Sequence, residues 1–221
     1  RVVPAARRLP RVSFDEMMEM AATGGRVLML RSVEFARRHH VPLHVRSSFT
    51  WEPGTWVVEE DSVMEEAVVT AVTDDTSETK ITVARVPDRP GVAARLFREL
   101  VAKGVNVDMI VQNTSQDGTT DISFTVEKND ADAAVAACEG VRSELQIGEI
   151  SADNGVGRVT LIGAGMKSSP GITAKMFETL AALDINIEMI STSSIRISTI
   201  VRADRVGDAV RALHTAFGLD A

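Results

Sequence analysis

The chain has 221 residues, of which 44% are hydrophobic and 25% are charged, a composition typical of soluble globular proteins with two or three small domains. A formal net charge of −7 and an aromatic content of 4% argue against a nucleic-acid partner, which needs phosphate neutralisation and aromatic stacking. No apolar run is long enough to span a bilayer and no signal peptide is recognisable, so we expect a cytoplasmic protein that does not bind membranes.

The first sixty residues carry two helix patterns followed by extended segments. Ser13 and Glu16, three residues apart, have the spacing of a capping box, which predicts a helix over residues 13–22. A second helix is predicted over residues 32–38. Proline and Pro-Gly signals then favour extended chain at residues 41–46 and 55–58.

From residue 67 the pattern becomes strand, strand, helix, strand, strand, helix, and it occurs twice. The first unit has predicted strands at 67–73, 81–86, 105–112 and 121–126 and predicted helices at 91–103 and 131–139. The second unit has predicted strands at 145–151, 158–162, 185–192 and 195–202 and predicted helices at 170–183 and 206–217. Two ββαββα units predict an α+β fold of antiparallel sheets with helices on one face.

We expect the two units to exchange their first strands. Strand 67–73 is predicted to complete the sheet of the second unit, and strand 145–151 that of the first, because a long strand edge otherwise lies open. The predicted domains are residues 1–63, 64–143 and 144–221.

An internal duplication anchored on two Pro-Gly dipeptides underlies this repetition. Eighty residues separate each of the following from an identical counterpart: Pro90, Gly91, Ala94, Phe97, Leu100, Ala102, Asn106, Met109 and Ile110. The second copy has two extra residues before its own Pro-Gly, whereas the first copy has five extra residues around Gly118.

The Pro-Gly helix starts have the chemistry to bind a small zwitterion. With Pro90 at the first helical position, free backbone N–H groups at the positive end of the helix dipole suit a carboxylate, and Gly91 lets a ligand approach closely. Asp88 is placed to receive an ammonium group. Carboxylate beside ammonium is the head of a free amino acid, although an isolated Pro-Gly is more often only a turn that starts a helix.

Two asparagines at equivalent positions leave two interpretations open. Asn106 and Asn186 lie where each helix returns into a strand, so their amides can satisfy loop backbone or bind a ligand. No metal site is predicted, because His39 and His40 have neither metal-ligand spacing nor acidic residues nearby. Cys138 lies on the apolar face of a helix and is predicted to be a buried structural thiol.

The motifs resemble a known family. Residues 163–171 and 190–198 are similar to signature segments of the paired ACT domains of aspartokinases, and the resemblance extends over residues 65–221. Residues 13–17, 26–28 and 31–36 resemble the closing segment of the amino acid kinase domain of that family. The implied fold is two ferredoxin-like ACT domains with strand exchange, preceded by a remnant of an α/β amino acid kinase domain.

The resemblance implies a regulatory role. Aspartokinases phosphorylate the β-carboxylate of aspartate with ATP and Mg²⁺, the first step toward lysine, threonine and methionine, and are inhibited by lysine, threonine or both. The implied effector-binding residues are Asp88, Arg89, Pro90, Gly91, Val92, Ala93, Asn106, Val107, Asp108, Gln112, Ile172, Thr173, Asn186, Ile187, Ser193 and Ser194. Arg26 occupies a nucleotide-contacting position that is usually lysine.

Departures from the family pattern refine this expectation. Ser194 replaces a frequent glutamate, which favours L-threonine over L-lysine as effector. The catalytic phosphate motif and the aspartate-binding residues are missing, so the chain alone is expected to be inactive and to bind no cofactor itself. Met64 resembles the internal start of a separate regulatory subunit, which leaves a fragment and a short natural product as alternatives.

The expected partners are a second copy, joined through the ACT domains, and a catalytic aspartokinase chain. A stand-alone amino-acid-binding ACT module of another enzyme is the alternative function, and the kinase-like first sixty residues argue against it. An RNA-binding module of similar strand order is disfavoured by the charge and the few aromatic residues.

Overall fold

The computed structural model describes residues 2–60, 68–114 and 118–220, with the side chains of residues 114 and 167 left out. By internal contacts the chain forms a larger unit of residues 1–75, 158–201 and 205–221, and a smaller unit of residues 76–157 and 202–204. Across the described ranges, no helix combines the length and hydrophobicity that a bilayer crossing requires. Met64 lies outside the described residues, and so do residues 115–117, which belong to the extra segment predicted around Gly118.

The amino-terminal block of the larger unit is a small α/β layer. The predicted capping box is confirmed, since the Ser13 hydroxyl accepts a hydrogen bond from the Glu16 amide and the Glu16 carboxylate accepts one from the Ser13 amide. The elements are β1 (Arg11–Ser13), α1 (Phe14–Ala22), α2 (Leu30–Arg38), β2 (Leu43–Val45) and β3 (Thr55–Val58). Strand β3 pairs in parallel with β1, which the sequence did not predict, and antiparallel with β2.

The following part of the chain contains the first copy of the repeat. Its elements are β4 (Ala71–Asp75), β5 (Glu78–Pro87), α3 (Val92–Ala102), β6 (Ile110–Thr114), β7 (Thr119–Glu127), α4 (Ala131–Gly140), α5 (Arg142–Leu145) and β8 (Glu149–Asp153). The smaller unit is a four-stranded sheet in the order β6-β7-β5-β8. Leu96 and Leu100 of α3 and Ala134 of α4 pack on Ile81 and Phe124 of this sheet.

The second copy repeats the arrangement within the larger unit. Its elements are β9 (Val156–Ile162), α6 (Ile172–Ala181), β10 (Met189–Thr192), β11 (Arg196–Arg202) and α7 (Val206–Ala216). The sheet order is β10-β11-β9-β4. The predicted α+β arrangement of two ββαββα units is therefore confirmed.

The predicted strand exchange is also confirmed, with shifted bounds. Strand β4 pairs antiparallel with β9, and β8 pairs antiparallel with β5. The sequence placed these two strands at 67–73 and 145–151, whereas the structure has them at Ala71–Asp75 and Glu149–Asp153. Residues 142–145 form a helical turn that ends at Gln146 in the left-handed conformation, so strand β8 starts later.

Strand β9 is buried along its whole length because both of its faces are covered. On one face Val159 and Leu161 pack with Met176 of α6 and Leu213 of α7. On the other face Ile162 belongs to the core of the amino-terminal block. The amino-terminal block and the second copy thus share one compact unit, while the three domain ranges drawn from the sequence stay a prediction.

Cys138 is fully buried in the core of the first copy. Burial raises the pKa of its thiol to about 11, and the neighbouring Glu139 acts in the same direction. The thiol therefore stays protonated near neutral pH, as expected of a packing residue.

Candidate functional site

The first Pro-Gly loop joins the end of β5 to the start of α3. The Asp88 amide donates to the Gly118 carbonyl at 2.9 Å, which fixes the loop against the β6–β7 turn. Gly91 has a φ of 94° and is the N-cap of the helix. The sequence placed Pro90 at the first helical position, which is wrong, because a left-handed residue cannot be part of an α-helix and α3 begins after it at Val92.

The second Pro-Gly loop has the same backbone geometry. Gly171 has a φ of 96°, and α6 begins directly after it at Ile172 rather than at Pro170. The two extra residues of this copy are accommodated by a 3₁₀ turn, Ala164–Ser168, which precedes the Pro-Gly. The two copies thus share the backbone conformation at the start of the helix but differ in the loop that precedes it.

A cavity of about 320 Å³ lies over the first Pro-Gly loop. Its walls include all six consecutive loop positions predicted from the sequence together with Gln112, namely Asp88, Arg89, Pro90, Gly91, Val92, Ala93 and Gln112. The sequence did not predict two further lining residues, Pro87 and Thr120. Thr120 enters the cavity wall because β7 pairs it with Val86 near the end of β5, a register that no local motif encodes.

The polar groups around this cavity match a zwitterion. Within the described residues, the amides of Ala93 and Ala94 have no backbone acceptor, as expected in the first turn of a helix. They lie at the positive end of the α3 dipole, which stabilises an anion. Asp88 and Arg89 are exposed and opposite in charge, so the loop offers a carboxylate for an ammonium group without adding net charge.

The predicted residues beyond the helix do not line this cavity. Asn106, Val107 and Asp108 follow α3, whose eleven residues span about 16 Å, so they lie near its opposite end. Val107 is half-buried against the core of the first copy, and the Asp108 amide donates to the Thr125 carbonyl. The Asn106 side chain is exposed and makes no hydrogen bond to the residues that the structure describes.

The second copy presents its predicted residues at two places. Ile172 is half-buried and Thr173 is exposed in the first turn of α6, while Ser193 and Ser194 are exposed in the β10–β11 turn. The Ser193 hydroxyl accepts a long hydrogen bond from the Ile195 amide, at 3.4 Å. Asn186 and Ile187 follow α6 at its other end, and Asn186 is exposed like Asn106.

Arg26 is the predicted nucleotide contact. It is exposed in the turn after α1, and its guanidinium has no partner among the described residues, an arrangement that suits a phosphate oxygen. In the described ranges no group of three or more His, Cys, Asp or Glu side chains is placed to hold a metal ion. Among the residues that the structure describes, the fit to a nucleotide thus rests on Arg26 alone, and no residue set suited to Mg²⁺ accompanies it.

We expect Gly91→Ala to lower the free energy of unfolding of the smaller unit by about 1–2 kcal/mol, because a left-handed conformation costs an L-residue that much. Added side-chain volume is not the cause, since a Cβ at Gly91 has nothing within 4 Å. Gly140→Ala is the matched control: Gly140 has equally open surroundings at the end of α4 but no left-handed φ. Gly140→Ala should raise the free energy of unfolding by up to about 1 kcal/mol. Equal free energies of unfolding of the two variants in urea would contradict the backbone strain expected in Gly91→Ala.

Comparison with known proteins adds independent information. The ACT domain family matches residues 81–140 and 159–217, one match for each copy. An aspartokinase of Mycolicibacterium smegmatis is 51% identical over 223 residues, which cover 99% of this chain and 53% of that protein. The chain therefore spans about half the length of that relative.

Two solved structures are similar in both sequence and fold. The regulatory subunit of aspartate kinase from Thermus thermophilus, in a ligand-free form, is 39% identical with a TM-score of 0.65, covering 68% of this chain and 99% of that one. Aspartokinase III of E. coli in complex with lysine and aspartate, in the T-state, is 25% identical with a TM-score of 0.76, covering 99% of this chain and 48% of that one.

Proposed function

This chain belongs to the aspartokinase family and corresponds to its regulatory part, and we propose that it binds L-threonine as a feedback effector in the cavity of the first Pro-Gly loop. The resemblance and the two ACT domains expected from the sequence are thereby confirmed. The observation that carries the proposal is the cavity itself. Its walls include Asp88 and Ala93, and the Ala93 amide has no backbone acceptor among the described residues.

The effector is proposed to be a small polar amino acid. The α-carboxylate accepts hydrogen bonds from the first-turn amides of α3, and the α-ammonium group faces Asp88. Gln112 then provides an amide group for a polar side chain, and the Thr120 hydroxyl, which donates to the Asn113 carbonyl, provides an acceptor. We propose L-lysine as a second effector, because the structure of the E. coli enzyme, to which this chain is similar, is a complex with lysine and aspartate.

We further propose that the chain works as part of a complete aspartate kinase. ATP and Mg²⁺ belong to that complete enzyme, which transfers a phosphoryl group to aspartate in lysine, threonine and methionine biosynthesis, and Arg26 contributes a phosphate contact. The chain alone is proposed to be catalytically inactive. Exposed apolar side chains on the amino-terminal block, among them Phe35, Phe49 and Trp51, support a partner surface for the catalytic portion.

A homodimer formed through the ACT domains is part of the same proposal. Strands β6 and β10 are the end strands of their sheets, and an end strand can pair with another chain. Each carries a partly exposed isoleucine at an equivalent position, Ile110 and Ile190.

A stand-alone ACT module of another enzyme is the second candidate, and the packing disfavours it. Helix α1 and strand β9 share buried contacts within the larger unit, so the kinase-like block is an integral part of this unit. A module that needs only its ACT domains has no use for this contact.

Calorimetry on the purified 221-residue chain tests the proposal. We expect L-threonine to bind with a Kd between about 1 µM and 1 mM, which corresponds to roughly 4–8 kcal/mol. D-threonine is the control. Because its α-carbon has the opposite configuration, the ammonium group and the side chain exchange positions when the carboxylate stays in place. If L-threonine, L-lysine and L-methionine all fail to bind the folded chain, the effector function is wrong.

A further inference from the structure

The carboxylate of Glu16 is one of the most enclosed charged groups in the larger unit, with 1% of the residue exposed. Oε2 accepts hydrogen bonds from the Ser13 amide at 3.1 Å and the Ser13 hydroxyl at 2.9 Å. Oε1 accepts hydrogen bonds from the Thr70 hydroxyl at 2.6 Å and the Ala164 amide at 3.1 Å. A capping box requires only the bonds to Ser13, so the two bonds to Oε1 need a separate explanation.

The bonds to Oε1 connect α1 with the second Pro-Gly loop. Ala164 is the first residue of the 3₁₀ turn that leads into Pro170 and Gly171, and we call residues 163–169 the lead-in loop. Thr70 lies just before β4, and its amide donates to the Ile162 carbonyl at 2.7 Å, immediately before the same loop. One buried oxygen atom thus ties α1 both to the lead-in loop, which follows β9, and to the segment before β4, the strand that pairs with β9.

The lead-in loop has little freedom to move away from Glu16. The Gly163 amide donates to the Ile195 carbonyl at 3.0 Å, in the β10–β11 turn that also carries Ser193 and Ser194. A Cβ on Gly163 would lie 2.3 Å from the Val68 carbonyl oxygen, so the backbones approach as closely as glycine allows. Displacement of the loop alone would leave the buried Ala164 amide without its acceptor and the Glu16 carboxylate with one donor fewer, which is costly.

Helix α1 is attached to the second copy at further points. Arg196 of β11 contacts Glu19 at 3.1 Å, and the hydroxyls of Thr23 and Thr73 are 2.7 Å apart. The first Pro-Gly loop is attached differently, because its Asp88 amide bonds to Gly118 within its own copy. The two loops share a helix start but differ in what holds them.

From this asymmetry we propose that Glu16 is a positioning residue that couples the second Pro-Gly loop to α1, so that a change in the loop's position is transmitted to the amino-terminal block. The coupling deepens the proposed effector function and rests on it for its regulatory meaning. The first copy binds the ammonium and carboxylate groups of the effector. The second copy transmits the change in position of its Pro-Gly loop to the kinase-like block. A ligand shifts such an equilibrium only when it binds the two loop positions with different affinity.

Hydrogen exchange followed by mass spectrometry tests the link in the 221-residue chain without effector. Glu16→Met keeps the length of the side chain and removes all four acceptor interactions, so exchange at Ala164 should become about tenfold faster. Glu16→Gln retains one carbonyl oxygen and should give an intermediate rate. Ser13→Ala is the matched control, since it removes the hydroxyl of the capping box and leaves both bonds to Oε1, so exchange at Ala164 should stay at the wild-type rate.

The first Pro-Gly loop, residues 87–93, provides an internal reference that should be unchanged in every variant. Unchanged exchange at Ala164 in Glu16→Met overturns the proposal. If Glu16→Met does not fold, Glu16→Gln replaces one of the two acceptor oxygens by an N–H2 donor, and it should still accelerate exchange at Ala164. An unchanged rate in that variant overturns the proposal as well.

Addition of L-threonine separates the coupling from the proposed function. In the wild type and in Ser13→Ala, the effector should change exchange in α1, whereas in Glu16→Met this response should be lost while the calorimetric Kd changes by less than about threefold. A full α1 response in Glu16→Met overturns the coupling. Absence of calorimetric binding rejects the effector function instead, and the experiment without effector still decides whether the link exists.

Discussion

Asp88→Ala is expected to weaken L-threonine binding by about 10- to 100-fold. The substitution removes the only carboxylate that lines the cavity as described, and a charge-assisted hydrogen bond is worth about 1.5–3 kcal/mol, or roughly tenfold for each 1.4 kcal/mol. The loop itself should persist, because Asp88 is attached through its backbone amide to Gly118 rather than through its side chain. Calorimetry of the variant and the wild type under the same conditions gives the ratio of their Kd values.

Two companion variants make this result specific. Asp132→Ala removes the same charge from an exposed position on α4, outside the cavity, and should leave the Kd unchanged. Asp88→Asn keeps a hydrogen-bond acceptor but loses the charge, so its Kd should lie between those of the wild type and Asp88→Ala. Equal weakening by Asp88→Ala and Asp132→Ala would indicate a general electrostatic effect, and wild-type affinity in Asp88→Ala would remove Asp88 from the site.

Leu100→Ala and Leu180→Ala are each expected to lower the free energy of unfolding by about 3–5 kcal/mol. The two leucines occupy equivalent positions of the repeat, and both are 0% exposed. Leu100 lies in the core of the first copy and Leu180 in the core of the second. Each substitution removes buried methyl groups and leaves a cavity, and costs of this size are typical of such changes in packed cores.

Val101→Ala is the matched control for this pair. Val101 follows Leu100 on the same helix but is 73% exposed, so its truncation should change the free energy of unfolding by no more than about 0.5 kcal/mol. Guanidinium unfolding followed by circular dichroism measures all three variants. A cost below about 1 kcal/mol for either leucine would show that its helix does not pack as the structure describes.

Local spacing accounts for much of what could be predicted. The capping box of Ser13 and Glu16 predicted the start of α1, because both partners lie within one helical turn. Strand counting predicted the exchange of β4 and β8, since the open edge of each sheet needs a partner. Their bounds were less accurate, because the helical turn Arg142–Leu145 has no clear periodic signal.

The candidate site was predictable in part for the same reason. Asp88 to Ala93 are consecutive, so a loop motif was enough to group them, and the structure brings them to one cavity with Gln112. Thr120 was not predictable, because only the pairing of β7 with β5 places it there. Asn106 stays a prediction as a ligand contact, and the length of α3 separates it from the loop.

The sequence alone determined the duplication and the α+β class, since these depend on repeated residues and on a regular hydrophobic period, and it determined the family through the similarity of its motifs. Only the tertiary structure decided that Glu16 serves two purposes. Its bonds to Thr70 and Ala164 span 54 and 148 residues, and they exist because α1 packs on the second copy and carries a buried charge that needs donors. A capping motif specifies where a helix begins, whereas the partners of its second oxygen depend on which surface the helix buries.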